Sequence, residues 1–325
     1  MPEALPLTDL QRREMAYAMQ TDLAPLLKML EQQHIRFLLP EDPAFPDALR
    51  KMVDPPFAIF LRGEPLQDGI RVGIVGTRDM TPYGERVTEL LARELTQHGA
   101  TIVSGLAFGV DLQAHTACIN AGGKTIAVLA GGVDTDSITP SAHVTVAERW
   151  IAEKRATLIS EYPPGPYVPR FRYLVRNRLI AALSNALVVT EADHESGALS
   201  TARKAAENGR DVLAVPGDIF RAKSRGTNEL IAKGAHPCRT PEDVLSALGF
   251  KSNMQAKQIA EARKAIPTTP EETNILDALK APHSIEELSR LLQKPVAQIS
   301  ALVSLLELKG RVISVSPKTY IGTSL

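Results

Sequence analysis

Between Glu161 and Glu191 the sequence carries no acidic residue, yet Arg170, Arg172, Arg176 and Arg178 fall close together there. They are interleaved with Tyr162, Tyr167, Phe171 and Tyr173. Guanidinium groups attract a phosphate backbone, and flat aromatic faces accept unstacked bases at about 1–3 kcal/mol each. The pairing suits single-stranded nucleic acid. The plainer reading makes single aromatics core residues and single arginines partners of distant carboxylates. Arg78 follows the turn Gly76-Thr77, where a forked guanidinium can clasp a phosphate or form a surface ion pair. Ser104-Gly105 and Ser196-Gly197 bring small residues and hydroxyls to two further turns before helices, and so offer N–H groups to the same anion. Plain helix capping explains Ser196 almost as well. Lys124, with Asn177 between Arg176 and Arg178, completes the phosphate candidates.

Asp111 and His115 stand four apart and share a helical face. A metal site would need a third ligand at suitable spacing, and none is visible, so a structural hydrogen bond competes with acid/base work. The turn at Gly76 is not G-x-G-x-x-G, and no G-x-x-x-x-G-K-[ST] occurs, so dinucleotide binding and ATP hydrolysis lack their usual signatures. Glu191 and Glu195 could act as acid or base on a nucleotide, which keeps a nucleotide-binding or nucleotide-cleaving enzyme as the alternative. A sensor that holds a mononucleotide without turnover is a third reading.

These residues need a frame that presents loop ends side by side. Apolar runs such as Val72 to Val75 and Ala100 to Val103, separated by a segment with Val87, Leu90, Leu91 and Leu95 on one face, predict a strand, helix, strand unit. Strand and helix continue to alternate to about residue 248, which predicts a doubly wound α/β fold whose ligands sit beyond the carboxyl ends of the strands. Residues 1–65 read as a small helical cap, with helices at Leu10 to Met19 and Leu23 to Leu30, the latter capped by Thr21 or Asp22, and a short strand at Phe57 to Leu61. The α/β domain spans 66–249. Residues 250–269 are polar, end in prolines and read as a linker. In 270–325 three helices and a hairpin suggest a winged helix. Its third helix, Val296 to Leu308, is poor in Lys and Arg, so a protein contact is as plausible as duplex DNA.

The chain has 325 residues, and Lys plus Arg equals Asp plus Glu at 37 each, so any nucleic-acid surface must be a local patch. Two cysteines cannot build a disulfide framework. No apolar run approaches the roughly 20 residues that cross a bilayer. A soluble, cytoplasmic protein with no membrane contact is expected.

The same motifs resemble the DprA/Smf family, the DNA-processing protein A of bacterial natural transformation. They include Ile74 to Arg78, Ser104 to Asp111 with Ala114-His115, Lys124 to Leu129, Ser160 to Gly165 and Arg176 to Ala181. Glu191-Ala192, Ser196-Gly197, Ala214 to Gly217 and Gly226 through Ile231 to Ala235 extend the match. The resemblance implies an extended Rossmann-like domain that binds single-stranded DNA, forms homodimers and loads RecA onto the strand, with no cofactor, metal or catalytic residue. It implies phosphate contacts at Arg78, Lys124, Arg176 and Arg178, a pocket shaped by Ser104, Gly105, Ser196 and Gly197, dimer contacts near Leu230 and Ile231, and a C-terminal winged helix. Three departures stand out. Phe171-Arg172-Tyr173-Leu174-Val175 replaces a Phe-Pro before Arg176; Ile138-Thr139-Pro140 replaces a Tyr-Pro after the third strand; the N-terminal region is short for a helix-hairpin-helix module.

Overall fold

The computed structural model describes residue 8 and residues 21–165, 168–250, 269–279, 281–308, 311–316 and 319–322. The helix expected over Leu10 to Met19, Tyr167 and all but the ends of the expected linker lie outside the described residues. Residues up to Gly249 form one compact unit, and those from Phe250 a second.

The first unit begins with α1 (Ala24–Gln32), β1 (Ile35–Leu38), the one-turn α2 (Asp47–Arg50) and β2 (Ile59–Gly63). Alternation follows through β3 (Arg71–Val75), α3 (Pro82–Gln97), β4 (Thr101–Ser104), α4 (Val110–Asn120), β5 (Thr125–Val128), α5 (Val144–Ala152) and β6 (Ala156–Ser160). It continues through α6 (Phe171–Leu183), β7 (Ala186–Val189), α7 (Gly197–Glu207), β8 (Asp211–Ala214), α8 (Ala222–Ala232), β9 (His236–Pro237) and α9 (Pro241–Ala247). All these strands join one sheet in the order β1-β2-β6-β5-β4-β3-β7-β8-β9. From β6 to β9 every pairing is parallel, and β1 and β2 add two antiparallel strands at one edge. Among the described residues the region expected as a cap holds α1 and the one-turn α2, and the strand expected at Phe57 to Leu61 is β2, which with β1 joins the sheet. Asp22 accepts the Ala24 N–H at 2.9 Å at the start of α1, and Ile59 and Leu61 are buried and complete the sheet, because an uncovered β6 edge would leave backbone groups unpaired.

The central strands are apolar throughout because helices cover both faces. Val72, Ile74, Ile102 and Val188 pack with Leu91, Leu95, Ala114 and Val244 on one face. Val75, Val103, Leu187 and Val189 pack with Leu179, Leu183, Ala198 and Ala202 on the other. Strand order reverses around β3: the chain proceeds from it to β4 and β5 on one side and places β7 on the other. The carboxyl ends of β3, β4 and β7 therefore part their following loops and leave a crevice.

The second unit holds α10 (Pro270–Ala278), β10 (His283–Ser284), α11 (Ile285–Leu292), α12 (Val296–Leu308), β11 (Val312–Ser316) and β12 (Thr319–Gly322). Its strands pair in the order β10-β12-β11 around a core that includes Ile275, Leu288, Ile299 and Val303. Ser284 caps α11: its hydroxyl accepts the Glu287 N–H at 3.2 Å, and the Glu287 carboxylate accepts the Ser284 N–H at 2.7 Å. Ala297, Gln298, Ala301, Ser304 and Leu305 are exposed on α12, a face with no cation.

Candidate functional site

The crevice at the carboxyl ends is a hollow of about 420 Å³. Gly76, Thr77 and Arg78 reach it from the end of β3, Arg176 and Asn177 from α6, and Ser196 and Gly197 from the start of α7. The first three arrive because a strand ends and the last two because a helix begins there, while Arg176 and Asn177 project from the middle of α6.

The floor holds two buried opposite charges, Arg176 and Asp111. Arg176, only 4% exposed, donates from Nη1 to the Gly105 carbonyl at 2.7 Å and to that of Val128, and from Nε to Asn177 Oδ1 at 3.1 Å. The Asp111 carboxylate accepts the Gly105 and Ala107 N–H groups at 3.1 and 3.4 Å. Burial lowers the pKa of Arg176 and raises that of Asp111, and the charge of each opposes the shift of the other. Gly105 leaves room for this arrangement: a Cβ there would sit 2.6 Å from Arg176 Cζ. Ser104 lies deeper still, with its hydroxyl donating to the Ile74 carbonyl at 2.6 Å and so tying β4 to β3. These residues hold the wall rather than offering free groups to a ligand.

The rim is different. Arg78 is exposed, and its guanidinium carbon lies 5.2 Å from the Tyr173 ring centroid. Tyr173 is braced in turn by its hydroxyl, which donates to Thr139 Oγ1 at 3.1 Å. Two of the segments that depart from the family pattern thus meet beneath Arg78. Among the described residues Arg78 has no ion-pair partner, so its charge is free for an anion. The turn that carries it is fixed: the Thr77 N–H donates to the Glu191 carbonyl at 2.8 Å, and the Val110 N–H to the Thr77 carbonyl at 3.2 Å. Gly109, at φ +72°, passes so close that a Cβ would lie 2.7 Å from the Arg78 carbonyl carbon. Asp193 and the exposed Glu195 stand on the rim beyond, and they confine an anion to the Arg78 side.

Other candidates lie elsewhere. Lys124 precedes β5 and lies at the amino end of that strand, so the structure does not bring it to the hollow. Arg178 pairs with Glu161 and, at 3.6 Å, with Asp54. Arg172 stacks 4.0 Å over Tyr162, and Arg170 is exposed before α6; neither lines the hollow. Glu191 is 3% exposed, and its carboxylate accepts the Thr81 N–H at 2.8 Å and the Thr81 hydroxyl at 2.5 Å, at the start of α3. His115 is fully buried and contacts Thr125 Oγ1 at 2.6 Å, and burial lowers its pKa to about 3. The Asp111 and His115 pair therefore works as separate structural contacts. Leu230 and Ile231 are half-buried on α8, and Leu230 lines a second groove of about 690 Å³ between α7 and α8.

Two neighbours escaped the sequence reading. Lys223 reaches across from α8 to bond the Asp79 carboxylate at 2.5 Å, and Phe108 is 49% exposed while its ring meets His143 edge-on at 4.7 Å. A phenylalanine in the glycine-bounded stretch Ala107-Phe108-Gly109 was a readable signal; a contact between residues 79 and 223 was not.

Residues 36–249 match the family model for DNA recombination-mediator protein A, and residues 259–316 match the DprA winged helix domain. This chain belongs to the DprA/Smf family. It is 37% identical over 228 residues to the DNA processing protein DprA of Bacillus subtilis, covering 70% of this chain and 75% of that one. The Smf protein of Synechocystis is 39% identical over 224 residues, which are 67% of this chain and 55% of the longer relative. Among solved DprA structures, that of Helicobacter pylori DNA processing protein A, described for its single-stranded DNA binding mode, aligns with a TM-score of 0.58 at 33% identity, over 66% of this chain and 95% of that one. The DprA/Smf domain model thus covers the whole wall of the hollow.

Proposed function

We propose that this chain is a non-catalytic single-stranded DNA-binding protein of the cytoplasm, acting in natural transformation and recombination. The observation that carries this reading is Arg78: an exposed cation without an ion-pair partner among the described residues, stacked on Tyr173 at the mouth of a hollow between parallel strand ends. A cation and a ring face together accept a phosphate and an unstacked base. Thr77, Asn177, Ser196 and Gly197 shape the hollow, and Arg176 acts from beneath. The single-stranded DNA binding of the Helicobacter pylori relative supports the same ligand here. Glu191, the carboxylate that a nucleotide-cleaving reading would use, is engaged on Thr81, which favours a binder over an enzyme. Two finer elements belong to the same proposal: a homodimer through the Leu230 and Ile231 face, and hand-over of the strand to RecA.

Fluorescence anisotropy of a labelled oligonucleotide, single-stranded against duplex, across a salt series tests the reading. The single strand binds more tightly, and Arg78→Ala weakens it about tenfold and lowers the salt slope by about 1. Equal affinity of wild type and variant would remove DNA from this turn.

A further inference from the structure

The loop after β8 holds two large apolar side chains away from the core: Ile219 is 75% and Phe220 87% exposed. The loop is nevertheless held firmly. Tyr83 Oη donates to the Pro216 carbonyl at 2.9 Å. The Asn228 amide exchanges two hydrogen bonds with the Gly217 backbone, at 3.1 and 3.0 Å. The Asp218 carboxylate accepts the Phe220 N–H at 2.9 Å, and the Asp218 carbonyl accepts that of Arg221 at 3.0 Å. A loop pinned on both sides of Ile219 and still showing an aromatic ring to water presents that ring to something.

Its position indicates to what. β8 runs parallel to β7, and β7 to β3, so this loop leaves the same edge of the sheet as Arg78, two strand spacings or roughly 10 Å away. The two loops are joined directly. Lys223, just past Phe220, bonds the Asp79 carboxylate at 2.5 Å, and Asp79 follows Arg78. The Ala192 N–H donates to the Lys223 carbonyl and the Gly226 N–H to the Ala192 carbonyl, both at 2.8 Å, which docks the start of α8 on the end of β7. Arg225, one turn into α8, is exposed and has no ion-pair partner among the described residues. A cation and a ring face therefore recur beside the hollow, on a platform fixed to it.

We propose that Phe220 is a second stacking platform, which receives a base of the single strand as it leaves the hollow past Arg78, with Arg225 meeting the following phosphate. The proposal rests on the reading of the hollow as a single-stranded DNA site and extends its footprint across β7 to β8.

The full chain carries a constant background for the test, since its single tryptophan, Trp150, emits but is 1% exposed and so shielded from a bound base. Phe220→Trp therefore adds one exposed reporter. Its emission is expected to quench with an oligothymidylate of about 20 nucleotides and to stay unchanged with one of about 4, which fills the hollow alone. Phe220→Ala is expected to bind the long oligomer about tenfold more weakly and the short one as wild type does. If wild type binds both oligomers while the reporter stays silent and Phe220→Ala keeps full affinity, the platform is wrong and the hollow stands. If wild type binds neither at low salt, the reading of the hollow falls, and the platform with it. Emission that changes with protein concentration in the absence of DNA would overturn the proposal by assigning the loop to a second copy of the chain.

Discussion

Arg78 stands in water with a ring beneath it, whereas Arg176 is sealed under the same hollow, bonded to two carbonyls and opposed by the buried Asp111 charge. Both sit in arginine motifs, but removing them has different consequences. Removing the buried Arg176 guanidinium takes the donor from the Gly105 and Val128 carbonyls and the counter-charge from Asp111, at a cost of about 1–3 kcal/mol for each buried group left unsatisfied. Arg176→Met is therefore expected to lower Tm clearly, and thermal unfolding that matched wild type would show these buried bonds to be dispensable. Arg78→Ala leaves no such orphan, and its loss is expected in DNA affinity alone. His115 gives a pH signature. Folded, it stays neutral down to about pH 3 against an ordinary 6.5, so between those values the unfolded chain binds the extra proton. Its contribution to stability is complete above about pH 6.5 and is lost as pH falls toward 3. His115→Gln is expected to make the Tm of the variant fall less steeply over that window than wild type; identical slopes would contradict the assignment.

At the scale of elements, the hollow exists because helix starts are nailed to strand ends. Thr81 begins α3 by accepting the Gly84 N–H at 3.2 Å, and Glu191, from the end of β7, holds Thr81 by backbone and hydroxyl. One carboxylate thus joins β7 to α3 across the switch point. Glu191→Gln weakens a charge-assisted pair and is expected to cost about 1–3 kcal/mol in chemical denaturation. A variant as stable as wild type would mean that the cap is carried by Pro82 and Thr81 alone. The departures from the family pattern act at this scale too: Tyr173 on α6 and Thr139 after β5 support each other and together set the ring on which Arg78 rests.

For the whole molecule, every residue of the hollow and of the β8 loop lies before Gly249, inside the first compact unit. The second unit presents on α12 an exposed face without a cation, unsuited to a duplex backbone. A chain ending at Gly249 is accordingly expected to bind single-stranded DNA with the affinity of the full chain. A tenfold loss would assign DNA contacts to the winged helix.

The alternation of apolar strands and one-faced helices determined the doubly wound fold, because burying both faces of a parallel sheet imposes that pattern on neighbouring residues. The glycine turn before Arg78 and the cluster around Arg176 were legible for the same reason: they are local in sequence. Tertiary structure decided which cations are free. Arg172, Arg176 and Arg178 share one helix and one composition, yet one stacks on Tyr162, one is buried over Asp111 and one pairs with Glu161. The antiparallel pairing of β1 and β2 at the sheet edge, the engagement of Glu191 on Thr81 and the Lys223 link to Asp79 were decided there too. Each joins residues distant in the chain, and the sequence holds no periodicity that records such a meeting.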